Sequence, residues 1–193
     1  MRIIGTACIL TVAMAASALP ALAEEPQRQL GAHVHGHGRL NIAIEGKKMS
    51  MELEVPGMDI AGFEHEPSTA EQRAALDEAI ARLANASVLF APEPKAGCEL
   101  EQVKVSAEAG HEHGRGDKSG ASAHEKEDAE HSGFRGVYSF VCSSPSRLTS
   151  MTFDYFKEFP NAQELDITIV SPKGQSSFEV KRDKPSLDLT GIM

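Results

Sequence analysis

Residues 32–40 read AHVHGHGRL and place His33, His35 and His37 two residues apart. In an extended segment, residues i, i+2 and i+4 point to one side. If this stretch is extended, its spacing predicts three imidazoles on one face, an arrangement that can hold a divalent ion. Gly36 and Gly38 let the backbone fold closely around such an ion. Three imidazoles are a known zinc ligand set, completed by a fourth ligand from protein or water.

A second concentration lies at residues 110–132, GHEHGRGDKSGASAHEKEDAEHS. It carries His111, His113, His124 and His131 beside Glu112, Glu125, Glu127, Asp128 and Glu130. A charged, glycine-rich tract is ordinarily a solvated loop, and this one has too little apolar surface to fold alone. Yet it holds half of the eight histidines, and a His-rich tract is a metal-binding composition. Imidazole with carboxylate suits Zn²⁺ best and also accommodates Cu²⁺ and Ni²⁺. The last histidine, His65 in GFEHEP, precedes a helix. A lone histidine there is more often a surface or capping residue, and Glu64 and Glu66 add little to a ligand role.

Other chemistries fit less well. Met49 and Met51 alternate within a strand, which indicates core packing rather than copper ligation. An amino-terminal copper site needs histidine at the third mature position, where Pro26 stands. Copper–zinc superoxide dismutases contain HVH, but SFVCSSPS around Cys142 does not match their second cysteine segment. Cupins need a glutamate where Arg39 and Leu40 lie. No G-x-S-x-G, free thiol or phosphate-binding glycine loop is present, so no catalytic constellation emerges. The alternatives are a metalloenzyme using the three-histidine site with an open position, or a copper- or nickel-binding protein.

These histidines need a scaffold. Arg2, the apolar run 3–18 and Ala21-Leu22-Ala23 read as a secretory signal peptide covering residues 1–23. The expected location is therefore the periplasm, with no membrane insertion, since the apolar run is too short to span comfortably. The mature chain would have 170 residues (193 − 23) and a net charge of about −10 (18 basic, 28 acidic). That charge argues against nucleic acid and anionic membranes, but not against cations. Cleavage removes Cys8 and leaves Cys98 and Cys142. In an oxidising compartment such a pair is most simply a disulfide, with a shared thiolate metal site as the alternative.

Leu40, Ile42 and Ile44, then Met49, Met51, Leu53 and Val55, alternate around the turn 45–48 and predict a hairpin. Ser68-Thr69 with Glu71 or Gln72 forms a capping-box signature, and Leu76, Ile80 and Leu83 follow it, predicting a helix over 69–85. Val88-Leu89-Phe90 reads as a short strand. Val103, Val105 and Ala107, and then Val137 to Cys142, predict an antiparallel pair whose tip is the histidine tract. Leu148, Met151, Thr152, Tyr155, Phe156 and Phe159 predict a second helix, and two strands around Pro172-Lys173-Gly174 close the chain. The fold class is α+β, with antiparallel sheets and two helices. The order of elements hints at two similar ββαβ-type halves, 24–97 and 98–193, the second interrupted by a disordered loop at 108–132.

Taken jointly, H-x-H-G before a hairpin, GFEHEPST, GCEL, the His/acid tract, EHSGFRGVYSFVC and FPNAQELDITIVSPKGQ resemble the ZrgA-type periplasmic zinc-binding proteins. The resemblance runs over roughly residues 30 to 182. It implies an accessory protein of bacterial zinc import, working beside a zinc ABC importer or its solute-binding protein. It also implies two similar domains joined by a His-rich segment. Carried over by position, His33 and His35 match the opening H-x-H-G, His65 the GFEH histidine, and His131 the histidine before the last hairpin strand. The tract here is sparser than the long histidine runs of relatives. The expected function is Zn²⁺ capture and buffering without catalysis. An ordered site at the amino-terminal histidines is expected to bind zinc, with the tract as collector.

Overall fold

The computed structural model describes residues 34–108 and 132–193. The expected signal peptide, His33 and the four tract histidines lie outside the described residues. The first described segment is the expected hairpin, β1 (His37–Glu45) and β2 (Lys48–Pro56). Its register sets Leu40 opposite Leu53, Ile42 opposite Met51 and Ile44 opposite Met49. All six are buried, so the alternation gives the sheet one apolar face.

After β2 the chain makes a single helical turn, α1 (Gly57–Ile60), and then α2 (Ala70–Ala84). Thr69 caps α2 through a capping box with Gln72: the Gln72 N–H donates to Thr69 Oγ1 at 3.2 Å, and Gln72 Oε1 receives the Thr69 N–H at 3.3 Å. Ala79 and Leu83 bury the inner stripe of α2. A further turn, α3 (Ala86–Leu89), takes up Val88 and Leu89, so the expected strand starts later, as β3 (Phe90–Pro92).

Next come β4 (Cys98–Glu108) and β5 (Gly133–Cys142), paired antiparallel as expected. Cys98 sits directly opposite Cys142 and is bonded to it. At the other end Glu108 faces Gly133, which frames the tract.

The helix expected from Leu148 to Phe159 does not form. Instead β6 (Ser150–Phe153) alternates, with Met151 and Phe153 buried, and only α4 (Tyr155–Glu158) is helical. A run of inward Met and Phe separated by Ser and Thr satisfies a two-residue period as well as a helical one. Pairing with β3 on one side and β9 (Ser186–Asp188) on the other decides for the strand. The last long pair, β7 (Glu164–Ser171) and β8 (Gly174–Lys181), follows the sequence.

The large sheet has the order β4-β5-β2-β1-β7-β8, and the small one β3-β6-β9. The structure is α+β, but the large sheet is mixed, because β1 and β7 run parallel. Helical content among the described residues is the long helix α2, three single α-helical turns and two 3-10 turns at Pro94–Ala96 and Pro145–Arg147, rather than two amphipathic helices. Strands from both sequence halves lie side by side in the one large sheet. Its inner face is covered by α2 and the small sheet. Tyr138 in β5 donates its hydroxyl to Leu83 O at 3.1 Å, and Phe90 meets the rings of Tyr138 and Phe153 at 5.4 and 6.1 Å. The parallel pairing of β1 with β7 sets the amino end of β1 beside the start of β7, His37 opposite Glu164, where the chemistry lies.

Candidate metal centre

The extended reading of AHVHGHGRL fails at its centre. The His37 N–H donates to Val34 O at 3.0 Å, closing a turn over His35 and Gly36. Gly36 has φ +85°, a conformation that glycine adopts without steric cost. Strict two-residue alternation therefore stops between His35 and His37, and β1 begins only at His37. Gly36 supplies the positive φ that this turn requires.

The backbone of Gly36 is held at both its N–H and its C=O. Gly36 O receives the N–H groups of Gln163 and Glu164 at 2.8 and 2.9 Å. The Gly36 N–H donates to both oxygens of Asp59, at 2.8 and 3.0 Å. Two residues on, Gly38 lies against Val55 and Leu165, with no room for a side chain.

Each described histidine of this stretch faces a carboxylate. His35 Nε2 lies 3.0 Å from Glu64 Oε2. The imidazole is 56% exposed while the Glu64 side chain is 9% exposed, so the ring is reachable and its partner is fixed. The Glu64 hydrogen bond, and then its charge, raise the pKa of His35. His37 Nδ1 stands 3.9 Å from Glu164 Oε1, and the other oxygen of Glu164 is engaged by Lys181 Nζ at 3.2 Å. Asp59 is 3% exposed. Burial pushes its carboxyl up, opposed by the Gly36 N–H and by the charges of His35 and His37. The result is one accessible nitrogen donor touching a nearly buried oxygen donor, with a second buried carboxylate close enough to feel both imidazoles. Nitrogen with carboxylate oxygen is a donor set that zinc accepts.

His65 is occupied elsewhere. Its Nδ1 is 3.0 Å from Glu66 O, and its Nε2 is 3.3 Å from the Gln72 side-chain amide. Its ring lies 5.2 Å from that of Phe63. It belongs to the cap of α2, and no described contact joins it to His35 or His37. The tract histidines His111, His113, His124 and His131, with His33, lie outside the described residues. Ser132, where the described chain resumes, donates its N–H to Glu64 O at 3.0 Å and receives the Gly57 N–H at 2.9 Å. The segment carrying Asp59 and Glu64 is thus closed by Ser132, the last residue of the tract.

Glu164, Asp166 and Glu179 also bring their oxygens within 4.8 Å of one another. Lys181 compensates that group, at 3.2 Å from Glu164 and 3.6 Å from Glu179. Sequence reasoning missed Asp59 as a site residue and gave Glu64 little weight. The available signal was an acidic residue inside Met58-Asp59-Ile60, directly after a predicted strand.

No helix among the described residues is long and apolar enough to cross a membrane. No curated protein matches the chain. A family model, described as ZrgA family zinc uptake protein, matches residues 32–189.

Proposed function

The chain belongs to the ZrgA family of zinc uptake proteins, and from that premise we propose that it captures and buffers Zn²⁺ in the periplasm and hands it to an import system. The observation that carries this is the 3.0 Å contact between the exposed His35 imidazole and the nearly buried Glu64 carboxylate. In this reading His35 Nε2 and Glu64 are protein ligands of the cargo ion. Bound zinc replaces the proton that Glu64 holds on His35, so the neutral ring is the binding form. The exposure of His35 serves release, because an acceptor can reach the ion by ligand exchange. His33, two residues before His35 in the sequence, is proposed as a further ligand. The tract histidines collect ions, helped by the acidic charge of the chain. The protein is a carrier and catalyses nothing. Its partner is a zinc ABC importer or the solute-binding protein of that importer.

Two measurements test the proposal. Protein purified from periplasm, before any chelator or nickel column, should contain zinc in excess of copper and nickel. In a titration against a chromophoric chelator, the double substitution His33→Ala, His35→Ala should abolish the tightest zinc equivalent, and excision of residues 110–131, which removes the tract histidines and keeps Ser132, should spare it. Tight binding lost with the tract and kept in the double variant would reverse the two assignments.

A further inference from the structure

The turn that presents His35 depends on a residue that is not itself at the surface. Asp59 sits in the one-turn helix after β2, between Met58 and Ile60, and is 3% exposed. Among the described residues its carboxylate has a single hydrogen-bond donor, the Gly36 N–H, which both oxygens approach at 2.8 and 3.0 Å. Burying a carboxylate against one neutral donor is costly, and an apolar side chain of similar volume would pack there without that cost. The carboxylate therefore does something that packing alone does not require.

Its geometry says what. Gly36 is the residue between His35 and His37. With its C=O held by Gln163 and Glu164, its N–H is the remaining handle on the turn. Asp59 also shares a short segment with Glu64, and Ser132 closes that segment through Gly57 N and Glu64 O. One segment thus supplies the carboxylate that meets His35 and grips the backbone that aims His35 at it.

We infer that Asp59 is a positioning residue for zinc: its buried carboxylate grips the Gly36 N–H and so holds the turn on which His35 meets Glu64. The inference rests on the zinc-capture reading of that pair. Asp59 acts through Gly36 rather than on the ion, since both of its oxygens are turned to the backbone. Supporting partners of this kind, one step from the metal, typically change affinity 10–100-fold when removed.

The test uses the mature chain and zinc in competition with a chromophoric chelator. It compares wild type with His35→Ala, Asp59→Ala and Asp59→Asn, and follows the Gly36 amide in ¹⁵N-resolved NMR spectra. Asparagine keeps an acceptor oxygen for the Gly36 N–H, and alanine does not. Asp59→Ala should bind the tight zinc about 10–100-fold more weakly and shift the Gly36 amide proton upfield, while Asp59→Asn should stay within about threefold of wild type. Asp59→Ala binding as tightly as wild type, beside a weakened His35→Ala, overturns the inference alone. If Asp59→Ala does not fold, Asp59→Asn still decides. An unshifted Gly36 amide with zinc affinity lost shows that the charge, not the grip, was needed. If His35→Ala binds zinc as tightly as wild type, the zinc-capture reading itself fails and takes the inference with it.

Discussion

Replacing Cys98 and Cys142 by alanine should destabilise the protein strongly while leaving its zinc site intact. The bond joins residues 44 apart in sequence. In the chain-entropy model, closing a loop of that length removes about 13 cal/mol/K from the unfolded chain, or about 4 kcal/mol at 25 °C. Domains of this kind have roughly 5–15 kcal/mol in total, so the loss is a large share. For this size each kcal/mol shifts Tm by about 2–4 °C, which gives a fall of about 8–16 °C. The bond ties the end of the β4–β5 ladder opposite to Glu108 and Gly133, and Ser132 contacts the Glu64 segment from that other end. Tight zinc affinity of the double variant should therefore match wild type under conditions where both are folded. Urea unfolding followed by circular dichroism, with zinc titration on the same samples, measures both quantities. A stability loss under about 1 kcal/mol would refute the loop-closure reasoning. A loss of tight zinc binding would show that the site depends on the far end of the ladder.

Excising residues 110–131 through a short glycine–serine linker should leave the melting transition within a few degrees of wild type, because Glu108 and Gly133 are already cross-strand partners; an unfolded product would show the tract to be structural. Gly38→Ala places a Cβ 2.6 Å from Val55 Cγ1 and 2.8 Å from Leu165 Cδ2, and overpacking of this kind should cost about 1–3 kcal/mol in urea unfolding. Glu64 holds His35 above its ordinary value of 6.5. The stability this pair gives the metal-free protein is therefore complete below about pH 6.5 and disappears as pH rises through the folded value. The unfolding free-energy difference between wild type and His35→Gln should be larger at about pH 5.5 than at about pH 8.5, and a difference that grows with pH would contradict the pairing. Zinc affinity runs the other way and should weaken with acid, because the ion displaces the His35 proton.

The β1–β2 hairpin, the capped α2 helix, the β4–β5 pair with its disulfide, and the β7–β8 pair were all legible in the sequence. Each is written in local alternation, a capping box or a cysteine pair. What was not legible depends on partners far away in sequence. The parallel pairing of β1 with β7 joins His37 to Glu164 and leaves no local trace. The stretch around Met151 and Phe153 fits two periods, and only its place between β3 and β9 chooses the strand. At the site, histidine spacing located the chemistry but misjudged the backbone, because the His35–Gly36 turn is fixed by Asp59, Gln163 and Glu164 from elsewhere in the chain. A single aspartate in an apolar stretch has no periodic signature. Only the fold shows that its partner is the N–H of the residue between two histidines.

The most direct test is anomalous diffraction at the zinc edge from crystals of the mature protein grown with one equivalent of zinc. The peak is expected between His35 and Glu64, with His35 Nε2 and a Glu64 oxygen about 2.0–2.2 Å from the ion. A peak at Glu164, Asp166 and Glu179, or one within the tract and away from His35, would contradict the assignment of zinc capture to the His35–Glu64 pair.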